Sequence, residues 1–197
     1  MSKRQILTAI RNHKPTGQAP LPLIPAFPEK RVDAVETFMA VSEAGGSRVI
    51  RIAGLESLQA ALNARFPDAG AVASPLPAAA GTVPLDPVES PAALEQAEVA
   101  VIRGRVGVAE NGAIWVTESD CIHRVLPFIC QHLAIVLEAA AIVPDMHAAY
   151  ARIQVDEEAF GLFIAGPSKT ADIEQALVIG AQAARSLTIF LTDKALS

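Results

Sequence analysis

The chain has 197 residues, a formal net charge of −5 and a hydrophobic content of 51%. This length is enough for one folded domain with a large apolar core, and the acidic balance argues against a general nucleic-acid binder, which needs a basic face to displace counterions. Two cysteines cannot build a disulfide framework, and alone they cannot supply the four thiolates that an iron–sulfur cluster usually takes.

The first thirty residues predict a helix followed by an arm. Residues 3–12 place apolar side chains at helical intervals. Residues 13–28 contain five prolines, which exclude a helix interior or a central strand. We therefore expect residues 1–28 to form an N-terminal helix and a Pro-rich arm, and residues 29–197 to form the main domain.

The remainder of the chain predicts alternating strands and helices. Helices are expected at 30–44, 55–66 and 170–184, a helical turn at 91–96, and strands at 48–53, 71–73, 98–102, 113–117, 133–138, 160–165 and 187–192. Short apolar runs separated by helices are typical of strands buried on both faces. The predicted fold class is α/β, a single layered domain with a mainly parallel sheet and helices on both faces.

No apolar run is long enough to span a bilayer, and the first residues lack the apolar core of a secretory signal. We therefore expect a cytoplasmic protein that does not span a membrane.

Residues 163–174, FIAGPSKTADIE, form a segment that we call the elbow. Its composition predicts a strand that turns into a helix. Gly166 allows a sharp turn, Pro167 fixes its own φ, and Ser168 or Thr170 can cap the following helix.

Two interpretations of the elbow remain open. Unpaired backbone N–H groups at a helix start, together with Lys169, would attract a small carboxylate or phosphate. Alternatively, Asp172 and Glu174 only complement the helix dipole, and the elbow is a well-capped turn. The sequence alone does not choose between them.

A second turn joins two strand candidates. Asn111-Gly112 is an ordinary turn signal. Glu110, directly before it, is either a solvated turn residue or a carboxylate that acts as nucleophile or base at a strand end.

Two Cys-x-His pairs lie at residues 121–123 and 130–132. Cysteine and histidine are the usual ligands of zinc, so the residue types alone suggest a zinc site. Their spacing lacks the two-to-four-residue intervals of structural zinc sites, and Pro127 lies between them. We therefore predict no metal site, and separate roles for the two thiols and two histidines.

The order of these motifs resembles the LUD-domain family, whose members include proteins similar to lactate-utilisation protein C. The resemblance covers roughly residues 100–192 and is most specific at Gly-Pro-Ser-x-Thr-Ala-Asp-Ile-Glu in the elbow. It implies a fold similar to ribose-5-phosphate isomerase, glucosamine-6-phosphate deaminase and the CoA transferases (a NagB/RpiA/CoA-transferase-like fold).

The resemblance also implies a role. Such proteins support oxidation of L-lactate to pyruvate with two partners, a Cys-rich subunit and an iron–sulfur subunit. This chain would then bind no cofactor directly, and the clusters would lie in the partner subunits. Carried over by position, the candidate catalytic residues are Glu110 and His132. The candidate ligand-binding residues are Gly112, Gly166, Pro167, Ser168, Lys169, Thr170 and Asp172.

The sequence departs from the family pattern after the elbow. Relatives have a Gly-x-His-Gly-Pro run where this chain has residues 180–184, Gly-Ala-Gln-Ala-Ala, which predicts continued helix in place of a turn. Ala109-Glu110-Asn111-Gly112 is similar to the Ser-Glu-Asn-Gly signature of class I CoA transferases. Acyl transfer through Glu110 is therefore one alternative function, and a non-catalytic metabolite-binding subunit is another.

Overall fold

The computed structural model describes residues 2–14, 20, 22, 33–86, 90–155, 158–170 and 177–196. Contacts divide the chain into two units, Met1–Arg31 and Val32–Ser197. The predicted division into residues 1–28 and 29–197 stays a prediction.

The first unit contains helix α1 (Lys3–Asn12), as the sequence predicts. Ser2 and Gln5 form a reciprocal capping box, in which each side chain accepts a hydrogen bond from the other residue's backbone N–H. No α1 residue is buried.

The second unit contains the remaining elements. Its strands are β1 (Arg48–Ile52), β2 (Val72–Ala73), β3 (Val99–Arg103), β4 (Val106–Val108), β5 (Ala113–Thr117), β6 (His132–Glu138), β7 (Ile142–Val143), β8 (Gly161–Ile164), β9 (Lys169–Thr170), β10 (Val178–Ile179) and β11 (Ser186–Thr192). Its α-helices are α2 (Ala34–Ala44), α3 (Leu58–Arg65), α4 (Glu118–Cys121), α5 (Leu126–Ile129) and α6 (Met146–Arg152), with 3-10 turns at Leu55–Ser57, Pro91–Leu94 and Ala139–Ala141.

Among the residues that the structure describes, five parallel strands form the central sheet, in the order β1-β11-β6-β3-β2. The middle strands are buried on both faces, which explains their nearly continuous apolar sequences. The predicted α/β class with a mainly parallel sheet is therefore confirmed.

Alternation along the strands directs side chains to two apolar layers. On one face, Val101, Val136 and Phe190 pack with Leu58 and Leu62 of α3. On the other face, the packing includes Phe38 of α2 and residues of a second sheet.

This second sheet has the order β7-β4-β5-β8 and was not predicted. Strand β5 is antiparallel to both β4 and β8, whereas β4 and β7 are parallel. Gly104 lies between β3 and β4, where the chain passes from the central sheet to the second sheet. A Cβ atom there would lie 2.5 Å from Cγ2 of Ile114 and 2.9 Å from Cγ2 of Ile135.

The predicted helix at 170–184 is wrong in the part that the structure describes. Thr170 belongs to β9, which pairs antiparallel with β10, and residues 171–176 lie outside the described ranges. Val178 and Ile179 are β-branched and fit a strand, and Gly180 then adopts a positive φ of 79°. Residues 180–184 therefore turn and do not continue a helix, and Ser168 and Thr170 cap no helix in the described chain.

In the described ranges, no helix has both the length and the apolar character needed to cross a membrane.

Candidate functional site

The described part of the elbow lines a pocket of ≈ 360 Å³, which we call the elbow pocket. Its apolar wall includes Leu133 of β6 and Leu187 of β11. Ser168, Lys169 and Gln182 contribute the polar side chains of its lining. The pocket therefore combines an apolar interior with a few polar groups, an arrangement typical of small-molecule sites.

The turn at Gly166 requires glycine. Its φ is 79°, and a Cβ atom there would lie 2.8 Å from the carbonyl oxygen of Gly45 at the end of α2. The next residue, Pro167, is buried. This close approach fixes the elbow against α2.

Backbone hydrogen bonds hold Ser168 in place. Its N–H donates to the carbonyl oxygen of Ala184 at 2.9 Å, and its carbonyl oxygen accepts from the N–H of Gly180 at 3.0 Å. Residues 180–184 therefore hold the elbow through backbone hydrogen bonds, and they bring Gln182 into the lining of the pocket.

Lys169 has a structural partner. Its Nζ donates a hydrogen bond to the carbonyl oxygen of Gly45, which places a positive charge at the C-terminal end of α2. This position complements the helix dipole. An ammonium group has three N–H donors, so one such bond does not exhaust its capacity to hold a ligand.

Glu110 and Gly112 lie in the turn between β4 and β5 and do not line the elbow pocket. Glu110 Oε1 accepts a hydrogen bond of 2.8 Å from the N–H of Met146, the first residue of α6. Its carboxylate thus contacts one of the free N–H groups at a helix start. The predicted nucleophilic or acid/base role of Glu110 stays a prediction.

Gly112 also lies against α2. Its φ is 69°, and a Cβ atom there would lie 2.9 Å from Oγ of Ser42 and 3.1 Å from its Cα. Gly112 and Gly166 thus contact α2 at Ser42 and Gly45, which are about one helical turn apart. The requirement for glycine at both positions has a packing cause.

His132 is separated from the elbow pocket although its neighbour Leu133 lines it. Successive side chains of a strand point to opposite faces, and His132 lines a second cleft of ≈ 470 Å³. Its Nδ1 lies 2.7 Å from Oγ of Ser186. Burial lowers the pKa of His132, the charges of Arg185 and Arg65 lower it further, and Glu98 acts in the opposite direction.

The structure thus brings four of the predicted site residues together: Gly166, Pro167, Ser168 and Lys169. Thr170 follows them in β9, and Asp172 lies outside the described residues. Sequence reasoning missed Gln182, because it assigned that residue to a helix. The available signal was Gly180, whose preference for a turn breaks the helical pattern.

The two cysteines are buried thiols. Burial raises the pKa of both Cys121 and Cys130 to about 12. Within the described ranges, no three or more His, Cys, Asp and Glu side chains are grouped so that they could hold a metal ion.

Comparisons with known proteins agree with this architecture. A model of the LUD domain matches residues 77–192. The chain is 31% identical over 109 residues to lactate utilization protein C of Geobacillus kaustophilus (strain HTA426), which covers 52% of this chain and 45% of that protein. The chain thus spans less than half of that relative's length.

A solved structure also matches. The crystal structure of a DUF162 family protein from Deinococcus radiodurans is 20% identical in sequence and has a TM-score of 0.61. The match covers 84% of this chain and 99% of that one, and it shows a shared fold.

Proposed function

The chain belongs to the LUD domain family, and on this basis we propose that it is a subunit of a lactate-utilisation system that converts L-lactate to pyruvate. The family match over residues 77–192 carries the proposal. The 31% identity to a protein named lactate utilization protein C supports it further.

In this proposal the subunit carries no iron–sulfur cluster. Oxidation of lactate to pyruvate releases two electrons and two protons, and the electrons pass to clusters in a Cys-rich subunit and an iron–sulfur subunit. The chain has two cysteines, fewer than the four thiolates that a cluster usually takes. Both are buried with strongly raised pKa values, which suits a packing role better than ligation.

The elbow pocket is the proposed ligand site. Ser168, Lys169 and Gln182 supply hydrogen bonds and a positive charge, which suit a small carboxylate or phosphate, and the leucine side chains accommodate its apolar part. We keep Glu110 and His132 as predicted acid/base groups only, since neither lines this pocket.

A non-catalytic metabolite-binding subunit is the second candidate function. The described residues that line the elbow pocket include no carboxylate and no imidazole, so the pocket offers binding groups without an obvious acid/base pair.

The first test combines genetics with purification. A strain that lacks this protein should fail to grow on L-lactate and should grow normally on pyruvate, and a tagged copy should restore growth. The tagged protein captured from these cells should be brown, contain Cys-rich partners and reduce a dye in the presence of L-lactate. Normal growth of the deletion strain on lactate, together with a colourless protein captured alone, would contradict the proposal.

The second test examines the pocket itself. The purified protein is melted with L-lactate, pyruvate or phosphate; a ligand at a hundred times its Kd adds about 2.7 kcal/mol of stability. Ser168→Ala combined with Gln182→Ala should remove the stabilisation, and Ser90→Ala, which lies outside the pocket lining, should keep it. Stabilisation without lactate oxidation by the assembled complex would favour the metabolite-binding function.

A further inference from the structure

A second cleft lies at the amino ends of three parallel strands, and we call it the amino-end cleft. Glu98 directly before β3, His132 at the start of β6 and Arg185 directly before β11 all line it. Phe66 and Pro67, which follow α3, form an apolar part of its wall. Its volume of ≈ 470 Å³ lies within the range of small-molecule sites.

Two guanidinium groups lie at this cleft, and neither is paired with a carboxylate of the residues that the structure describes. Arg185 lines the cleft directly. Arg65 lies beside it, with its guanidinium carbon 4.7 Å from the ring centroid of Phe66. The ion pairs among the described residues involve Arg51, Arg103, Arg105, Arg124 and Lys194, and include neither Arg65 nor Arg185.

Arg65 also has an unsatisfied donor. Its Nε is buried and donates no hydrogen bond to any described residue. A buried N–H group of a cation that lacks an acceptor is costly, so such groups are normally paired. An anion in the cleft would not reach this buried Nε, but its negative charge would offset the positive charge of the guanidinium that lies over the Phe66 ring.

The protein holds Arg185 in position before any ligand binds. Its backbone N–H donates to the carbonyl oxygen of Gln131 at 2.9 Å, and its guanidinium donates to Oε1 of the same residue. On the other side, Gly180 packs so closely that a Cβ atom there would lie 2.5 Å from Cβ of Arg185. Preorganised donors lose less entropy when a ligand binds.

The carboxylate of Glu98 does not neutralise the arginines. Its Oε2 accepts hydrogen bonds from the N–H groups of Gly70 at 2.6 Å and Ala71 at 3.1 Å. These bonds hold the carboxylate against the loop that follows α3. Glu98 and Asp68, which also lines the cleft, remain able to accept hydrogen bonds from hydroxyl or amino groups.

From these observations we propose that the amino-end cleft binds the oxyanion group of a small organic metabolite, a carboxylate or a phosphate, between Arg185 and Arg65. Phe66 and Pro67 contact the apolar part of the ligand, and Glu98 and Asp68 accept hydrogen bonds from its hydroxyl or amino groups. This site is distinct from the elbow pocket, because the lining of the two cavities shares no residue. The inference does not depend on a role in lactate utilisation.

His132 provides a reporter within the cleft. The charged groups around its ring are Arg185, Arg65 and Glu98, with Asp68 in the same lining, and the two arginines together with burial lower its pKa. A bound anion offsets the positive charges, so it should raise the pKa of His132.

The test measures anion binding by the purified full chain at low ionic strength. Inorganic phosphate and acetate are titrated separately, with sodium chloride at matched ionic strength as the control for screening. Binding is followed by calorimetry and by the NMR titration of His132. Tighter binding of phosphate would identify a phosphorylated metabolite, and tighter binding of acetate would identify a carboxylate; either result supports the site.

Variants locate the binding. Arg185→Gln and Arg65→Gln should each weaken the affinity by about tenfold to a hundredfold, the usual range for one charge-assisted hydrogen bond. Arg152→Gln removes an exposed positive charge at the end of α6, outside this cleft, and should leave the affinity unchanged. Circular dichroism shows whether each variant is folded. If Arg185→Gln does not fold, Arg65→Gln still tests the site.

The proposal would be overturned by either of two results. One is that neither anion binds beyond the chloride control and neither raises the pKa of His132. The other is that folded Arg185→Gln or Arg65→Gln binds as well as the unsubstituted protein. The growth test on lactate does not depend on either result. The proposed role in lactate utilisation and the proposed anion site can therefore be refuted independently of each other.

Discussion

Gly104 offers the most direct test of how the two sheets pack together. The residue lies between β3 and β4, and its N–H donates to the carbonyl oxygen of Val136 at 2.8 Å. In Gly104→Ala, the new methyl group would lie 2.5 Å from Cγ2 of Ile114 and 2.9 Å from Cγ2 of Ile135. Both isoleucines are fully buried, so neither can move into solvent.

The expected magnitude follows from overpacking. Insertion of a methyl group into a closely packed core typically costs about 1–3 kcal/mol. Replacement of glycine by alanine also stabilises a protein by about 0.4–1 kcal/mol, because it lowers the conformational entropy of the unfolded chain. Gly70→Ala is a matched control, because its methyl group would meet only Oε2 of Glu98 at 3.8 Å, an ordinary contact. Comparison of the two variants cancels the unfolded-state contribution and isolates the packing cost.

Urea unfolding followed by the fluorescence of Trp115, the single tryptophan, measures both variants. We expect Gly104→Ala to be about 1–3 kcal/mol less stable than Gly70→Ala, which corresponds to about 2–12 °C in Tm for a domain of this size. Equal midpoints and equal slopes for the two variants would refute the proposed close packing of the sheets at Gly104.

The other predictions concern ionisation and one helix end. Cys121 and Cys130, with pKa values raised to about 12 by burial, should not react with Ellman's reagent at pH 8 in the folded protein and should react after unfolding; rapid reaction of native protein would contradict their burial. The pKa of His132 is lower in the folded state than its ordinary value of 6.5, so the unfolded chain binds the proton more readily. The unfolding free energy should therefore fall as the pH drops below about 6.5, and His132→Gln should reduce this loss. If urea titrations show the same loss between pH 7.5 and pH 5 in His132→Gln as in the unsubstituted protein, the assignment to His132 is wrong. Lys169→Met removes the hydrogen bond to Gly45 and should lower the unfolding free energy by about 0.5–1.5 kcal/mol; an unchanged stability would show that Lys169 is not needed at the end of α2.

The central sheet could be predicted because its strands carry their signal locally. Residues 99–103, 132–138 and 186–192 are mostly apolar, and such nearly continuous apolar runs are typical of strands covered on both faces. The predicted bounds of these three strands differ from the observed ones by at most one residue at each end.

The second sheet could not be predicted in the same way. Strand β4 has three residues, one of them glycine, and it resembles a loop when read alone. Strand β8 pairs with β5 across more than forty residues, and its partner cannot be identified from local sequence. The error at Val178 and Ile179 has another cause. Their partner strand β9 is only eight to ten residues away, but pairing with it, and not helical periodicity, determines the structure.

The candidate site could be predicted in part. The residues of the elbow that lie next to each other in sequence also line one pocket, so a motif sufficed to identify them. The position of His132 depends on the one-residue alternation of a strand, and a shift of one position assigns a side chain to the wrong cavity. Arg65 and Arg185 come together only through the order of the parallel strands, which short motifs do not encode.

The pairing of β1 with β11 has a consequence for how the protein is made. Arg48 lies opposite Thr188, so one edge of the central sheet joins residues 140 positions apart. During synthesis, β1 leaves the ribosome long before β11, its hydrogen-bonded neighbour in the described sheet, exists. Until β11 emerges, the nascent chain exposes the edge of β6 and the apolar residues Ile50 and Ile52. Such exposed edges are prone to aggregation, and the slow closure of distant parallel strands prolongs their exposure. The protein should therefore depend more on chaperones while it is being translated than its finished, well-buried core would suggest.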